Sequence, residues 1–286
     1  PDHQILSEEL APDNPTDCEH LWVIDPIDGT VNYAHLHPQV AISIAYYHQG
    51  EAQVAVVHNP FLNETFSAIN GLGAWLNQQP IQCATTQEIR RALIATGFPY
   101  DKHDIPQLIQ RLQAVLTQCA DIRRLGSAAL DICWVACGRL DAYYETVKPW
   151  DFAAAQLIAR EAGVQFGHIH ALPEGINPQL CGENIILAVP ALFGPLQQLL
   201  QQARAFVQQW LQNHSGASWQ APVTLLGPFP AIMERRNGRF RFQLQFYAAE
   251  RSVLHRTAAA LVHFLEQHKG LSKVRWNLDI DPIDTL

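Results

Sequence analysis

No apolar run in this 286-residue chain is long enough to cross a membrane. The longest uncharged ones, Pro38 to Tyr47 and Ile185 to Phe193, are about half of the ~20 residues a spanning helix needs. The first residues lack a basic stretch leading into an apolar one, so no secretory signal is read there. The chain opens on Pro1 and not on Met, which leads us to expect a missing amino-terminal part. Cysteines stand at 18, 83, 119, 133, 137 and 181, and none forms the C-x-x-C pair of a zinc or redox site. Their uneven spacing predicts buried, reduced thiols in a cytoplasmic protein. No G-x-x-x-x-G-K-[ST] run is present to cradle ATP, and no Ser or Cys nucleophile motif stands out.

What the chain does have is a division of charge. Residues 1 to 200 carry 9 Lys and Arg against 21 Asp and Glu, a balance of −12, whereas residues 201 to 286 carry 10 against 6, a balance of +4. Two units are predicted, an acidic body over 1–203 and a mildly basic module over 204–286. An acidic body can gather divalent cations, and a basic module is compatible with nucleic acid.

In the first unit, strand and helix patterns alternate. The run Val40 to Tyr47 (VAISIAYY), the turn His48-Gln49-Gly50-Glu51 and the run Gln53 to Val57 predict a hairpin. Glu64 to Ala68 and Gly73 to Leu76 predict a second strand pair, Leu140 to Glu145 and Ile185 to Val189 further strands. Helical spacing runs over Ile105 to Cys119, Ala128 to Cys137, Trp150 to Ala162, and Ala191 to about Asn213. His214 to Ala221 reads as a connector. Beyond it, Arg239 to Tyr247 alternates apolar and polar residues as a half-buried strand does, Glu250 to Gln267 has a helical stripe, and Lys273 to Ile280 reads as a closing strand.

The sharpest motif is Trp22-Val23-Ile24-Asp25-Pro26-Ile27-Asp28-Gly29-Thr30. An apolar strand delivers two carboxylates into a tight turn stiffened by Pro26, where they can face one site. Hard oxygen ligands of this kind suit Mg²⁺. Gly29 permits close backbone approach, and if Thr30 opens a helix, the two amides can receive a phosphate. Two flanking segments add acids: Ile5-Leu6-Ser7-Glu8-Glu9 after a short apolar strand, and Lys148-Pro149-Trp150-Asp151 at a helix start, where Asp151 alone would read as an N-cap.

These three segments, in this order, resemble the inositol monophosphatase family. The resemblance extends to Arg124-Leu125-Gly126-Ser127-Ala128-Ala129-Leu130-Asp131, Gly138-Arg139-Leu140-Asp141-Ala142-Tyr143-Tyr144-Glu145 and Arg160-Glu161-Ala162-Gly163, covering most of 4–203. It implies an α/β (α+β) fold, a layered αβαβα sandwich, and a Mg²⁺-dependent phosphomonoesterase that uses metal-activated water on inositol monophosphate or a related sugar phosphate. Residue by residue, it assigns Glu8, Asp25, the Ile27 carbonyl, Asp28 and Asp151 to the metals, and Glu8, Thr30 and Asp28 to catalysis. Gly29 and Thr30 would hold the phosphate, with Gly126, Ser127, Ala128, Glu145 and Asp151 also on the substrate. The family carries helices ahead of the segment equivalent to Glu8, which contribute to its usual homodimer, and these are expected to be missing here. The five residues between Glu145 and Asp151 are one fewer than in the family, and Val164 stands where the family repeats glycine.

The segments Leu226-Gly227-Pro228-Phe229-Pro230-Ala231, Arg239 to Gln245 and Lys273 to Pro282 resemble the end of primosomal protein N′, the replication-restart helicase. That resemblance implies binding to DNA or single-strand-binding protein, without helicase activity. Arg235, Arg236, Arg239 and Arg241 could contact phosphates, and Phe240 and Trp276 could stack on bases; the competing reading makes Phe240 core and the arginines a solvated face. Asp281-Pro282-Ile283-Asp284 repeats the D-P-I-D of the first unit without its Gly-Thr and is read as coincidence. The expected function is a phosphatase fused to an interaction module. The alternative is an inactive phosphatase domain that carries a DNA- or protein-binding module.

Overall fold

The computed structural model describes residues 3–98, 105–214, 223–236, 239–248 and 259. The chain divides into two compact units, Pro1–Val207 and Gln208–Leu286. In the first, seven strands lie in sequence order in one sheet: β1 (Gln4–Ser7), β2 (His20–Asp28), β3 (Ala41–His48), β4 (Glu51–Asn59), β5 (Glu64–Ile69), β6 (Gly73–Leu76) and β7 (Gln79–Pro80). β1 runs parallel to β2, and the other neighbours are antiparallel. The β3–β4 hairpin turns at Gln49 and Gly50, both at positive φ, as a tight two-residue connection requires.

A second, five-stranded sheet contains β8 (Leu93–Thr96), β9 (Asp121–Arg123), β10 (Ala142–Glu145), β11 (Gln165–His168) and β12 (Ile185–Ala188), in the order β11-β12-β10-β8-β9. Two helices fill the space between the sheets: α3 (Ala128–Ala136) and α4 (Pro149–Glu161), which follow the short α1 (Thr30–Ala34) and α2 (Ile105–Leu116) in the chain. α4 buries the run Phe152 to Ala159, and its alanines let the helix lie close to the strands. Leu130, Ile132 and Val135 of α3 join Val23, Ala45, Val57 and Phe66 of the first sheet and Tyr143 and Leu187 of the second in one core. On the far side of the second sheet, Leu192, Phe193, Leu196 and Leu200 of α5 (Pro190–His214) pack with Ile94, Tyr144 and Ile186 in another. The order is sheet, helices, sheet, helix, a layered α/β sandwich.

The outer face of the seven-stranded sheet carries Ile5, Trp22, Tyr46, Val54 and Ile69 in one cross-strand row, and Ile24, Ile44, Val56, Ser67 and Trp75 in the next. Ile5, Val54 and Ile69 are exposed. No helix lies against this face among the described residues, so four of the five expected layers are seen.

In the second unit, β13 (Val223–Arg236) pairs antiparallel with β14 (Arg239–Ala248), the alternating strand read from the sequence. The sequence reading places no strand over β13, which carries Pro228 and Pro230. The pairing accommodates them with register shifts after Leu226 and after Pro230. The expected helix Glu250 to Gln267 (apart from Ala259), the closing strand Lys273 to Ile280 and the second D-P-I-D lie outside the described residues, as do the side chains of Arg235, Arg236, Arg239, Phe240, Arg241 and Trp276.

Candidate metal centre

Asp25 and Asp28 are three residues apart on one strand, where a regular pleat would send them to opposite faces. β2 breaks its register with β3 between Asp25, opposite Ser43, and Asp28, opposite Ala41. The bulge leaves Pro26 and Ile27 unpaired and resets the alternation, so both aspartates point inward, at 1% and 7% exposure. The Ile27 amide donates to Asp25 Oδ1 at 2.9 Å. Gly29 then takes φ 93° and opens α1 at Thr30, whose hydroxyl donates to the Ile27 carbonyl at 3.1 Å. A Cβ on Gly29 would sit 2.8 Å from the Gln39 carbonyl oxygen and 3.1 Å from that of Gly126, so only glycine fits.

Glu8 arrives from β1, whose Ser7 pairs with Ile24. Two backbone bonds between Ser7 and Ala11 close the turn that holds it, and its charge acts on the Asp25 carboxyl. Asp151 lies in the first turn of α4 but is not its cap: Lys148 occupies that position, and its amide donates to Asp151 Oδ2 at 2.8 Å. Donor oxygens of Asp25, Asp28 and Asp151 lie within 4.8 Å of one another. Asp28 Oδ2 accepts from the Ser127 hydroxyl at 2.6 Å and from the Ala129 amide at 2.8 Å, which ties it to the start of α3.

The acids are held where carboxylates are poorly solvated. Burial pushes Asp25 up to about 7, opposed next in effect by the Ile27 amide and helped by the charges of Glu8, Asp151 and Glu9. Burial also pushes Asp151 up to about 7, with Glu8 and Glu145 adding to the shift. Asp28 goes well above the usual carboxylate range through burial and the neighbouring aspartates, and Glu8 is raised by burial and then by Glu9. Among the causes of these shifts the only basic side chain is Lys148, acting weakly on Asp151. An all-oxygen, acidic and largely buried cluster without a basic partner of comparable effect fits a hard divalent cation such as Mg²⁺.

Beside the cluster, Glu145 ends β10 and accepts a short hydrogen bond from Tyr143. Burial raises it to about 7, against the pull of Arg124, whose guanidinium rests 5.4 Å from the centre of the Phe98 ring. Gly126 sits at φ 89°, Ser127 caps α3 by accepting from the Leu130 amide, and Ala128 begins the helix. All the site residues read from the sequence therefore stand in one region around the ends of β2, β10, α3 and α4. Sequence reasoning gave no role to Arg124, Asp131, Tyr143 or Gly97. Asp131 is 1% exposed, raised by burial and by Glu145, and its Oδ1 has no hydrogen-bond partner among the described residues. A Cβ on Gly97 would fall 2.0 Å from Glu145 Oε2. Tyr143 could have been found from its i, i+2 spacing to Glu145 on one strand face, whereas Arg124, Asp131 and Gly97 are linked to Glu145 only in space.

Fold and site define a layered α/β protein with a buried carboxylate cluster that could hold a metal ion. The sequence profile of the inositol monophosphatase family matches residues 1–205, and the chain belongs to that family. An inositol-1-monophosphatase from Synechocystis is 42% identical over 226 residues, covering 77% of this chain and 75% of that protein. The Nus factor SuhB of Escherichia coli K12 is 42% identical over 192 residues, covering 66% and 70%. Among solved structures, inositol monophosphatase from Anabaena aligns with a TM-score of 0.65 at 37% identity, covering 71% of this chain and 79% of that one. A structure described as inositol monophosphate bound SaIMPase-II aligns with a TM-score of 0.62 at 29% identity, covering 74% and 83%. The profile of the primosomal protein N C-terminal domain matches residues 191–283. No helix among the described residues is long and apolar enough to cross a membrane.

Proposed function

We propose that this protein is a Mg²⁺-dependent phosphomonoesterase acting on inositol monophosphate or a related sugar phosphate. The observation that carries the reading is the bulge in β2, which turns Asp25 and Asp28 into one oxygen-only cluster with Asp151, with Glu8 close enough to Asp25 for its charge to act on it. Glu8, Asp25, Asp28, Asp151 and the Ile27 carbonyl would hold the cations, which when bound supply Lewis acidity and neutralise charge on the leaving oxygen. The chain's own groups do the rest. Glu8 and Thr30 orient the attacking water, the Gly29 and Thr30 amides bind phosphate oxygens, and Asp28 is kept in place by Ser127 and Ala129. Asp151, Glu145 and the Gly126 to Ala128 segment line the alcohol side, with Tyr143 aiming the Glu145 carboxylate. Myo-inositol 1-phosphate is the first substrate to try, supported by the family and by a neighbour bound to inositol monophosphate.

The test is phosphate release from myo-inositol 1-phosphate with and without Mg²⁺, beside Asp25→Asn. Release that needs Mg²⁺ and is lost in the variant supports the reading; none from folded protein overturns it for this substrate. Relatives named Nus factor SuhB share the same 42% identity as the named phosphatase over a shorter stretch, so a role in binding partners without turnover is the second reading. The second unit we assign to DNA or single-strand-binding protein on its profile match. A cytoplasmic location and a homodimer complete the proposal.

A further inference from the structure

At the end of β2 away from the acidic centre, Glu19, His20 and His48 each offer one donor atom, all within 4.8 Å of one another. His20 and His48 face each other across the β2–β3 ladder, with their Nδ1 atoms 3.4 Å apart. Glu19 Oε1 is 3.8 Å from His20 Nε2. An ion with tetrahedral bonds of about 2.0–2.2 Å needs donor atoms roughly 3.4 Å apart, so small rotations of the exposed Glu19 and the half-buried His20 and His48 would bring one atom of each onto it, His20 through Nε2.

The groups are held from behind. The Gln49 amide donates to the Glu19 carbonyl at 2.8 Å, which pins the segment before β2 to the β3–β4 turn. Tyr46 meets His20 Nδ1 at 2.7 Å, and the His3 ring stacks on His20 at 4.6 Å while accepting from Trp22 Nε1 at 2.9 Å. A hydrogen bond to one ring nitrogen that fixes the other toward a ligand is the usual support of a metal-binding imidazole. Two imidazoles and one carboxylate differ in kind from the all-oxygen centre: they suit Zn²⁺ and its neighbours, not Mg²⁺. Along β2, His20 is about 16 Å from Asp25 at ~3.3 Å per residue, so the two groups cannot share an ion.

We propose that Glu19, His20 and His48 form a second metal site, selective for a transition-metal dication of the Zn²⁺ class, which staples the entry of β2 to the β3–β4 hairpin and leaves a coordination position open to solvent. The experiment titrates Zn²⁺ into the 286-residue chain by calorimetry, with saturating Mg²⁺ present, while ring ¹⁵N NMR follows the histidines. One Zn²⁺ that shifts the His20 and His48 ring signals is the result expected. Its affinity should fall at least about tenfold in His48→Gln and in Glu19→Gln and stay unchanged in Asp25→Asn. Glu19 is largely exposed, so its variant tests the site even if the histidine variant folds poorly. Unmoved ring signals, or affinity that survives both variants, would overturn the proposal, as would Zn²⁺ uptake abolished by Asp25→Asn.

Discussion

Ser127 donates its hydroxyl proton to Asp28 Oδ2 at 2.6 Å while its oxygen accepts from the Leu130 amide at 3.3 Å, so one side chain both caps α3 and fixes a carboxylate of the acidic centre. Ser127→Ala removes both. Loss of the cap costs about 1 kcal/mol, and leaving Asp28 short of a partner adds about as much again. The expected outcome is an unfolding free energy lowered by about 2 kcal/mol together with a several-fold higher Mg²⁺ requirement for phosphate release. An unchanged Mg²⁺ requirement would mean that the bond serves stability only.

The acidic centre makes folding sensitive to pH when no cation is present. The Asp25 carboxyl moves from 3.8 unfolded to about 7 folded, so its protonated form is the one the fold prefers. Stability is therefore full below about pH 4 and is lost as pH rises toward 7. Between pH 5 and pH 8 this single group costs roughly 2–3 kcal/mol, at about 1.4 kcal/mol per unit. Chemical denaturation in chelator should show the decline, Mg²⁺ should abolish most of it, and Asp25→Asn should flatten it. A chelated protein equally stable at pH 5 and pH 8 would contradict the burial argument.

Much of the fold was readable because its signals are local. VAISIAYY reads as a strand covered on at least one face, and the hairpin turn needs positive φ at Gln49 and Gly50. The second sheet was harder. Leu93–Thr96 and Asp121–Arg123 are short strands whose parallel partners lie far along the chain, so neither alternation nor a turn announces them. The D-P-x-D spacing gave the site, but the inward turn of both aspartates depends on a bulge defined by the neighbouring strand. Asp151 taken alone reads as a cap but is the third residue of the first turn, because Lys148 ahead of Pro149 takes the cap position.

Some residues of the family-like motifs hold the scaffold instead of the site. Arg139 forms a two-pronged ion pair with Glu64, at 2.6 and 2.9 Å, and lies 5.3 Å from the Trp134 ring centre. Its end of the pair is partly exposed, so the loss in Arg139→Ala should be about 1 kcal/mol and shrink in high salt. Thermal unfolding should fall by a few degrees, while kcat and KM for the phosphomonoester stay as they were. A large fall in kcat would move Arg139 into the catalytic machinery.

Gly97 offers the most direct separation of substrate contact from metal chemistry. Its missing side chain makes room for Glu145, since a Cβ there would meet both carboxylate oxygens at 2.0 and 2.2 Å. Gly97→Ala must push Glu145 away from its bond with Tyr143, and the three atoms nearest to the added Cβ all belong to Glu145 and not to an acid that would hold the cations. KM for inositol phosphate should rise by about tenfold or more, the loss of roughly one charge-assisted hydrogen bond, with a smaller change in kcat and an unaltered Mg²⁺ requirement. Gly194→Ala, on α5 with open space around it, is the control that should leave both constants alone. If Gly97→Ala instead lowers kcat with KM unchanged, Glu145 acts in the chemical step and not in holding the alcohol.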